Sequence, residues 1–81
     1  MHRVTAVQAR PGYVLRLTFD DGLTGEVEIG HRLHGPMFQA VRDPAYFRLV
    51  SVDDYGAVCW PNQADLSPDA LYSDVSRRLR V

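Results

Sequence analysis

Hydrophobic and polar residues alternate through the first third of the chain. Tyr13, Leu15, Leu17 and Phe19 share one parity, with Val14, Arg16 and Thr18 between them, which is the period-2 pattern of a half-buried strand. The alternation resumes after Asp20-Asp21-Gly22. Leu23, Val27 and Ile29 take one parity, Thr24, Glu26 and Glu28 the other, and Gly25 leaves a gap on the apolar side. Parity then fixes the register. A two-residue Asp21-Gly22 turn would set Phe19 opposite Thr24 and invert a whole face. A three-residue loop sets Phe19 opposite Leu23, Leu15 opposite Val27, Tyr13 opposite Ile29 and Arg16 across from Glu26. It also places Gly22 third, where this loop needs a positive φ.

Ahead of this hairpin, Arg3 to Ala9 reads as a further strand closed by the Pro11-Gly12 turn. Val4 and Val7 fall on opposite parities, which a bulge would reconcile. Farther on, Gly35-Pro36 breaks the chain and Met37 to Val41 suits one or two helical turns. Asp43 can cap a second short turn that starts at Pro44 and points Tyr46 and Phe47 inward. Leu49 to Val52 and Ala57 to Trp60 read as two short strands around Asp53-Asp54-Tyr55-Gly56. A helix follows, with Ser67 as N-cap, Pro68 in the first position and Asp69 against the N-terminal dipole. Leu71, Tyr72, Val75 and Leu79 form its apolar stripe.

The order predicts an α+β fold: an antiparallel sheet made of a three-stranded N-terminal meander plus a second short hairpin, short helical turns, and a C-terminal helix packed on one face. Leu15, Leu17, Phe19, Val27, Phe47, Val52, Trp60, Leu71 and Val75 are the expected core. Such short strands cannot close a barrel, so at least two edges are expected. Arg3 and Arg10 would guard one by charge. Ala57-Val58-Cys59-Trp60 carries no charge and is expected to form the other, open to strand addition by a second copy, giving a homodimer, or by another protein.

Composition narrows the class. The chain has 81 residues, 46% hydrophobic and 23% charged, the make-up of a folded unit, and residues 1–81 are expected to form a single domain. No apolar run approaches the ~18 residues of a membrane span and no signal-like N-terminus is evident, so no membrane association is expected. A lone cysteine, Cys59, fits a reducing, cytoplasmic setting. The net charge is −1, against the basic balance of a domain that grips nucleic acid directly. Arg77, Arg78 and Arg80 do cluster, but cations at a helix C-terminus complement its dipole without any partner.

Trp60, Asn62, Asp65 and Ser67 form the candidate binding loop. An amide, a carboxylate, a hydroxyl and an indole lie within eight residues, enough to orient a ligand's polar groups against apolar area. The structural alternative is that Asn62 and Asp65 bond nearby backbone in a tight turn while Trp60 is core. His31 and His34 are the candidate metal ligands by spacing, with His2 and Cys59 elsewhere. No framework completes a zinc set, so no metal or cofactor is expected. No general base stands beside a nucleophile, and no catalytic residue is assigned.

The alternating strand ending Leu17-Thr18-Phe19-Asp20-Asp21-Gly22, then Gly35-Pro36-Met37-Phe38, Arg42-Asp43-Pro44 with Phe47, and Trp60-Pro61-Asn62 with Ala64-Asp65-Leu66 and Leu71-Tyr72, resembles the bacterial family called domain of unknown function 2442. The resemblance runs from about Val4 to Tyr72 and is most specific at Trp60–Leu66. Similar proteins usually carry glycine where this chain has Gln63. If that position needs a positive φ, Gln63 adopts it at a cost. The resemblance implies a small α+β fold and does not imply a reaction. Similar proteins stand alone or are joined to a helix-turn-helix domain, and some resemble antitoxins. The function expected is therefore a small non-enzymatic protein-interaction or regulatory module with a protein partner. The alternative is a small-molecule-binding or minor catalytic domain using the Trp60–Asp65 loop.

Overall fold

The computed structural model describes residues 2–79, with the side chains of residues 78 and 79 outside the description. Two three-stranded antiparallel sheets, in strand orders β1-β2-β3 and β4-β5-β6, carry the fold. The first comprises β1 (Val4–Arg10), β2 (Val14–Phe19) and β3 (Thr24–Glu28). Short helical turns at Gly30–Arg32, Pro36–Phe38 and Ala40–Arg42 lead into α1 (Pro44–Phe47). The second sheet comprises β4 (Ser51–Val52), β5 (Val58–Cys59) and β6 (Asp65–Leu66), and α2 (Pro68–Leu79) closes the chain. This is the α+β architecture the patterning implies.

The hairpin register follows parity. Leu15 pairs with Val27 and Arg16 with Glu26, while the Phe19 N–H donates to the Leu23 carbonyl at 2.8 Å. Gly22 sits at φ +90°. The β1–β2 register shifts between Val4 and Ala6, so Thr5 is the bulge that lets Val4 and Val7 turn to the same side. Both caps are in place. Asp43 accepts from the Ala45 N–H at 3.0 Å, and the Ser67 hydroxyl accepts from the Ala70 N–H at 3.4 Å.

Three features depart from the sequence reading. The second sheet has a third strand, Asp65–Leu66, whose partners are Cys59 and Val58. Two residues carry no readable period, and their pairing comes from the turn before them rather than from their own pattern. In consequence β5 is the central strand, and the uncharged Ala57–Trp60 stretch is not an open edge. The sheet edges are instead β1, β3, β4 and β6. Val52, finally, is only half-buried, because it lies on an edge strand of two residues. The other expected core residues are buried, and Val4, Ile29, Leu33, Val41, Val58, Ala64 and Leu66 join them.

Gly25 explains how α2 lies on the first sheet. A β-carbon there would stand 2.8 Å from Val75 Cγ1. The gap in the apolar parity of β3 is therefore the seat of a helix side chain. The Phe19 and Tyr72 rings meet edge to face at 4.9 Å beside it. Tyr72 also donates its hydroxyl to the Asp21 carboxylate, and the His2 ring stacks on Tyr72 at 3.6 Å. That hydrogen bond, helped by the Leu23 N–H, holds the Asp21 carboxyl below its usual range and pushes the Tyr72 phenol up.

Candidate functional site

The four residues of the Trp60–Ser67 loop do not converge on a shared opening. Trp60 is 3% exposed, and its indole N–H donates to the Phe47 carbonyl at 3.0 Å. Asn62 is used at both ends of its amide, donating to the Met37 carbonyl at 2.9 Å and accepting from the Ala64 N–H at 3.0 Å. Ser67 caps α2. Asp65, on β6, is exposed, as is Ser67. Trp60 and Asn62 thus tie the second sheet to α1 and to the Pro36–Phe38 turn, which holds the middle of the chain against the core.

The loop's conformation is set by position 63. Gln63 has φ +70°, the left-handed conformation in which glycine carries no steric penalty. The residue that departs from the family pattern therefore occupies the position where glycine costs least.

His31 and His34 are exposed. His31 lies 3.8 Å from a Glu28 carboxylate oxygen. Among the described residues, no group of three or more His, Cys, Asp or Glu side chains stands close enough to hold a metal ion. Of the arginine cluster, Arg77 reaches back to Asp74; Arg80 and the side chain of Arg78 lie outside the described residues. Asp74 also receives two guanidinium hydrogen bonds from Arg32, at 3.0 and 2.6 Å. Burial alone would raise the Asp74 carboxyl, but the hydrogen bonds and charge of Arg32, then of Arg77, outweigh it and hold it below the usual range.

A concavity that residue order does not announce lies between the β1–β2 turn and α1. It encloses about 450 Å³ and is lined by Arg10, Pro11, Tyr13, Pro44, Phe47 and Arg48 among others. Its floor is aromatic. The rings of Tyr13 and Phe47 meet edge to face at 5.4 Å, and the Tyr13 hydroxyl donates to the Arg42 carbonyl. The turn that presents this ring is tight, with Gly12 at φ +80° and Tyr13 itself at φ +60°, a sparsely populated conformation for an aromatic residue. Two arginines are among the concavity's lining residues. Arg10 approaches Glu26 at 3.6 Å, and Arg48 is exposed just beyond the end of α1. An apolar floor with few charged groups at its margin is the usual make-up of a binding cleft. The one sequence signal for it is Pro11-Gly12 before an aromatic, which reads as a turn and nothing more.

Among the described residues, no helix is long and apolar enough to cross a membrane. No curated protein is similar enough to match the chain. Among solved structures, a protein from Nitrosomonas europaea ATCC 19718 described as a "Putative DNA Binding Protein" superposes with a TM-score of 0.82 at 29% identity. The match covers 96% of this chain and 51% of that one, so this chain spans about half the length of its structural relative. The model of the family called "Protein of unknown function (DUF2442)" matches residues 4–76, the span that holds both sheets, the cleft and most of α2, and the chain belongs to that family.

Proposed function

We propose that this chain is a non-enzymatic protein-interaction module, regulatory and antitoxin-like, working in the bacterial cytoplasm, and that the cleft between the β1–β2 turn and α1 is its contact surface. The observation that carries this reading is the composition of the cleft, an aromatic floor of Tyr13 and Phe47 with Arg10 and Arg48 among its lining residues. Arginine stays protonated and cannot act as a general base. The Tyr13 hydroxyl is already committed to the Arg42 carbonyl. The groups at the cleft are thus suited to recognise an apolar side chain and an anion, and aromatic and arginine side chains are those enriched at interface hot spots.

The structural relative's description raises direct DNA binding as a competing role. Charge supports assigning that contact to the part of the longer protein outside the matched region. The net charge here is −1. Arg32 and Arg77 converge on Asp74, and Arg10 and Arg16 on Glu26, so two of these four positive charges are offset locally.

The test is a comparison of two baits. The wild-type chain and Arg48→Glu, immobilised in parallel, are exposed to lysate of the native cell and the captured proteins are read by mass spectrometry. A partner held by the wild type and lost from Arg48→Glu is expected. Identical capture by both baits, or tight salt-sensitive binding of duplex DNA by the chain alone, would overturn the reading.

A further inference from the structure

The cleft's occupant can be sought in the chemistry of this chain itself. The β4–β5 turn carries Tyr55, which is 80% exposed, beside Asp54. The turn is rigid. The Asp53 carboxylate accepts from the Tyr55 N–H at 2.8 Å and the Ala57 N–H at 3.0 Å. Gly56 sits at φ +79°, and Arg3 donates to the Asp54 carbonyl at 2.7 Å. The backbone that carries an exposed aromatic ring with a carboxylate next to it is therefore fixed, which spares part of the ordering cost of binding it.

Turn and cleft lie at opposite ends of β1. The Val4 N–H donates to the Gly56 carbonyl at 2.9 Å, while Arg10, at the other end of this seven-residue strand, lines the cleft. At roughly 3.3 Å per residue the two ends are about 20 Å apart. No copy can fill its own cleft. Asp20, Asp21, Asp53 and Asp54 occupy the turns at one end, where Arg3 also lies, and Arg10 and Arg48 are among the residues that line the cleft at the other, where Arg10 approaches Glu26.

Resting on the reading of the cleft as a contact surface, we infer that its occupant is a second copy of this chain. Tyr55 of one copy seats on the Tyr13–Phe47 floor of the next, with Asp54 facing Arg48. The contact joins two different faces, so it is heterologous and leaves a free turn and a free cleft at the ends of any open assembly. One aromatic anchor with a flanking ion pair covers far less than the ~1,200 Å² of a standard interface. Association is accordingly weak, concentration-dependent and loosened by salt.

Two substitutions on opposite faces test this. Tyr55→Ala removes the anchor and keeps the cleft, whereas Arg48→Glu reverses the charge at the cleft and keeps the anchor. Both sites are exposed, and circular dichroism of each variant checks that the fold is retained. Sedimentation velocity of the wild type from micromolar to millimolar concentration is expected to show a rising mass. Each variant alone should associate at least about tenfold more weakly, as expected for loss of an aromatic or charged hot spot. Mixing the two variants restores one turn–cleft contact and no second, so the mixture should form one-to-one heterodimers and stop there. A wild type that stays monomeric at millimolar concentration, a Tyr55→Ala variant that associates like the wild type, or a mixture that stays monomeric would each overturn the inference. A monomeric wild type whose captured partner is still lost on Arg48→Glu would sink self-association and leave the interaction module standing. Capture unaffected by Arg48→Glu would instead sink the module reading.

Discussion

Gln63 stands in its hairpin where Gly22 stands in the first one. Each is the third residue of a three-residue loop, at φ +70° and +90° respectively. The backbone bonding is the same in both. The Phe19 N–H donates to the Leu23 carbonyl and the Gly22 N–H to Phe19; the Trp60 N–H donates to Ala64 and the Gln63 N–H to Trp60. The middle residue repeats the match, since Asp21 and Asn62 each accept the N–H two residues on, at 2.9 and 3.0 Å. Two unrelated tripeptides, Asp-Asp-Gly and Pro-Asn-Gln, build one device, because each loop needs a side-chain acceptor second and a left-handed residue third.

The equivalence predicts opposite signs at the two positions. Gln63→Gly relieves the steric cost of left-handed backbone and should stabilise the chain by ~0.5–1 kcal/mol, the gain being reduced by glycine's greater unfolded-state freedom. Gly22→Ala imposes that cost and should destabilise by about 1 kcal/mol or more. Urea midpoints of both variants, compared with the parent at unchanged m-value, decide the matter. A Gln63→Gly variant less stable than the parent would mean that the side chain does something the loop geometry does not require.

This comparison also shows what the sequence could and could not disclose. The first hairpin is legible because its strands are long enough for parity to choose a register and Gly22 marks the left-handed position. The third strand of the second sheet is not, since Asp65–Leu66 has only two residues and Gln63 hides the glycine signal. Missing that strand makes Ala57–Trp60 look like a sheet edge when it is the centre. The caps at Asp43 and Ser67 are readable from residue type alone. The cleft is a tertiary product, assembled from the Arg10–Tyr13 turn and the distant Pro44–Arg48 segment, and no local pattern encodes their meeting.

Trp60 and Asn62 give the second prediction. Trp60→Phe keeps most of the apolar bulk but removes one of two donors to the Phe47 carbonyl, leaving the Val50 N–H at 3.3 Å, and should cost ~0.5–1.5 kcal/mol. Phe47→Ala empties a core position and should cost ~3–5 kcal/mol. Asn62→Ala breaks the bonds to Met37 and Ala64 and should cost ~1–2 kcal/mol. Thermal melts test the three values. If Asn62→Ala melts like the parent yet loses a captured partner, the loop is a recognition site rather than a brace.

Gly25 and Val75 give the third. Gly25→Ala places a methyl group 2.8 Å from Val75 Cγ1, so the helix side chain must move or α2 must lift. The expected loss is ~1–3 kcal/mol. Truncating the opposing residue makes room for that methyl, so the double variant Gly25→Ala, Val75→Ala should be more stable than the sum of the single losses predicts. A double-mutant cycle with additive energies would show that the two positions do not touch.

Asp74 contributes to the acid limb of stability, beside Asp21, whose carboxyl is also held low. The Asp74 carboxyl is held below the usual range by Arg32 and Arg77 despite the opposing effect of burial. A carboxyl whose folded value lies under its unfolded one stabilises the fold fully above the unfolded value, near pH 4. That contribution falls away as the pH drops through the folded value. Asp74→Asn should therefore lower stability at neutral pH by ~1–3 kcal/mol, since Arg32 loses its charged partner. Toward pH 2, where the native carboxyl is itself protonated, the difference between variant and parent should shrink. Arg32→Met should flatten the same acid limb by removing the main source of the depression. Denaturant titrations from pH 7 to pH 2 on the three chains measure this directly, and a gap between Asp74→Asn and parent that stays constant across the range would show that the pair contributes packing rather than charge.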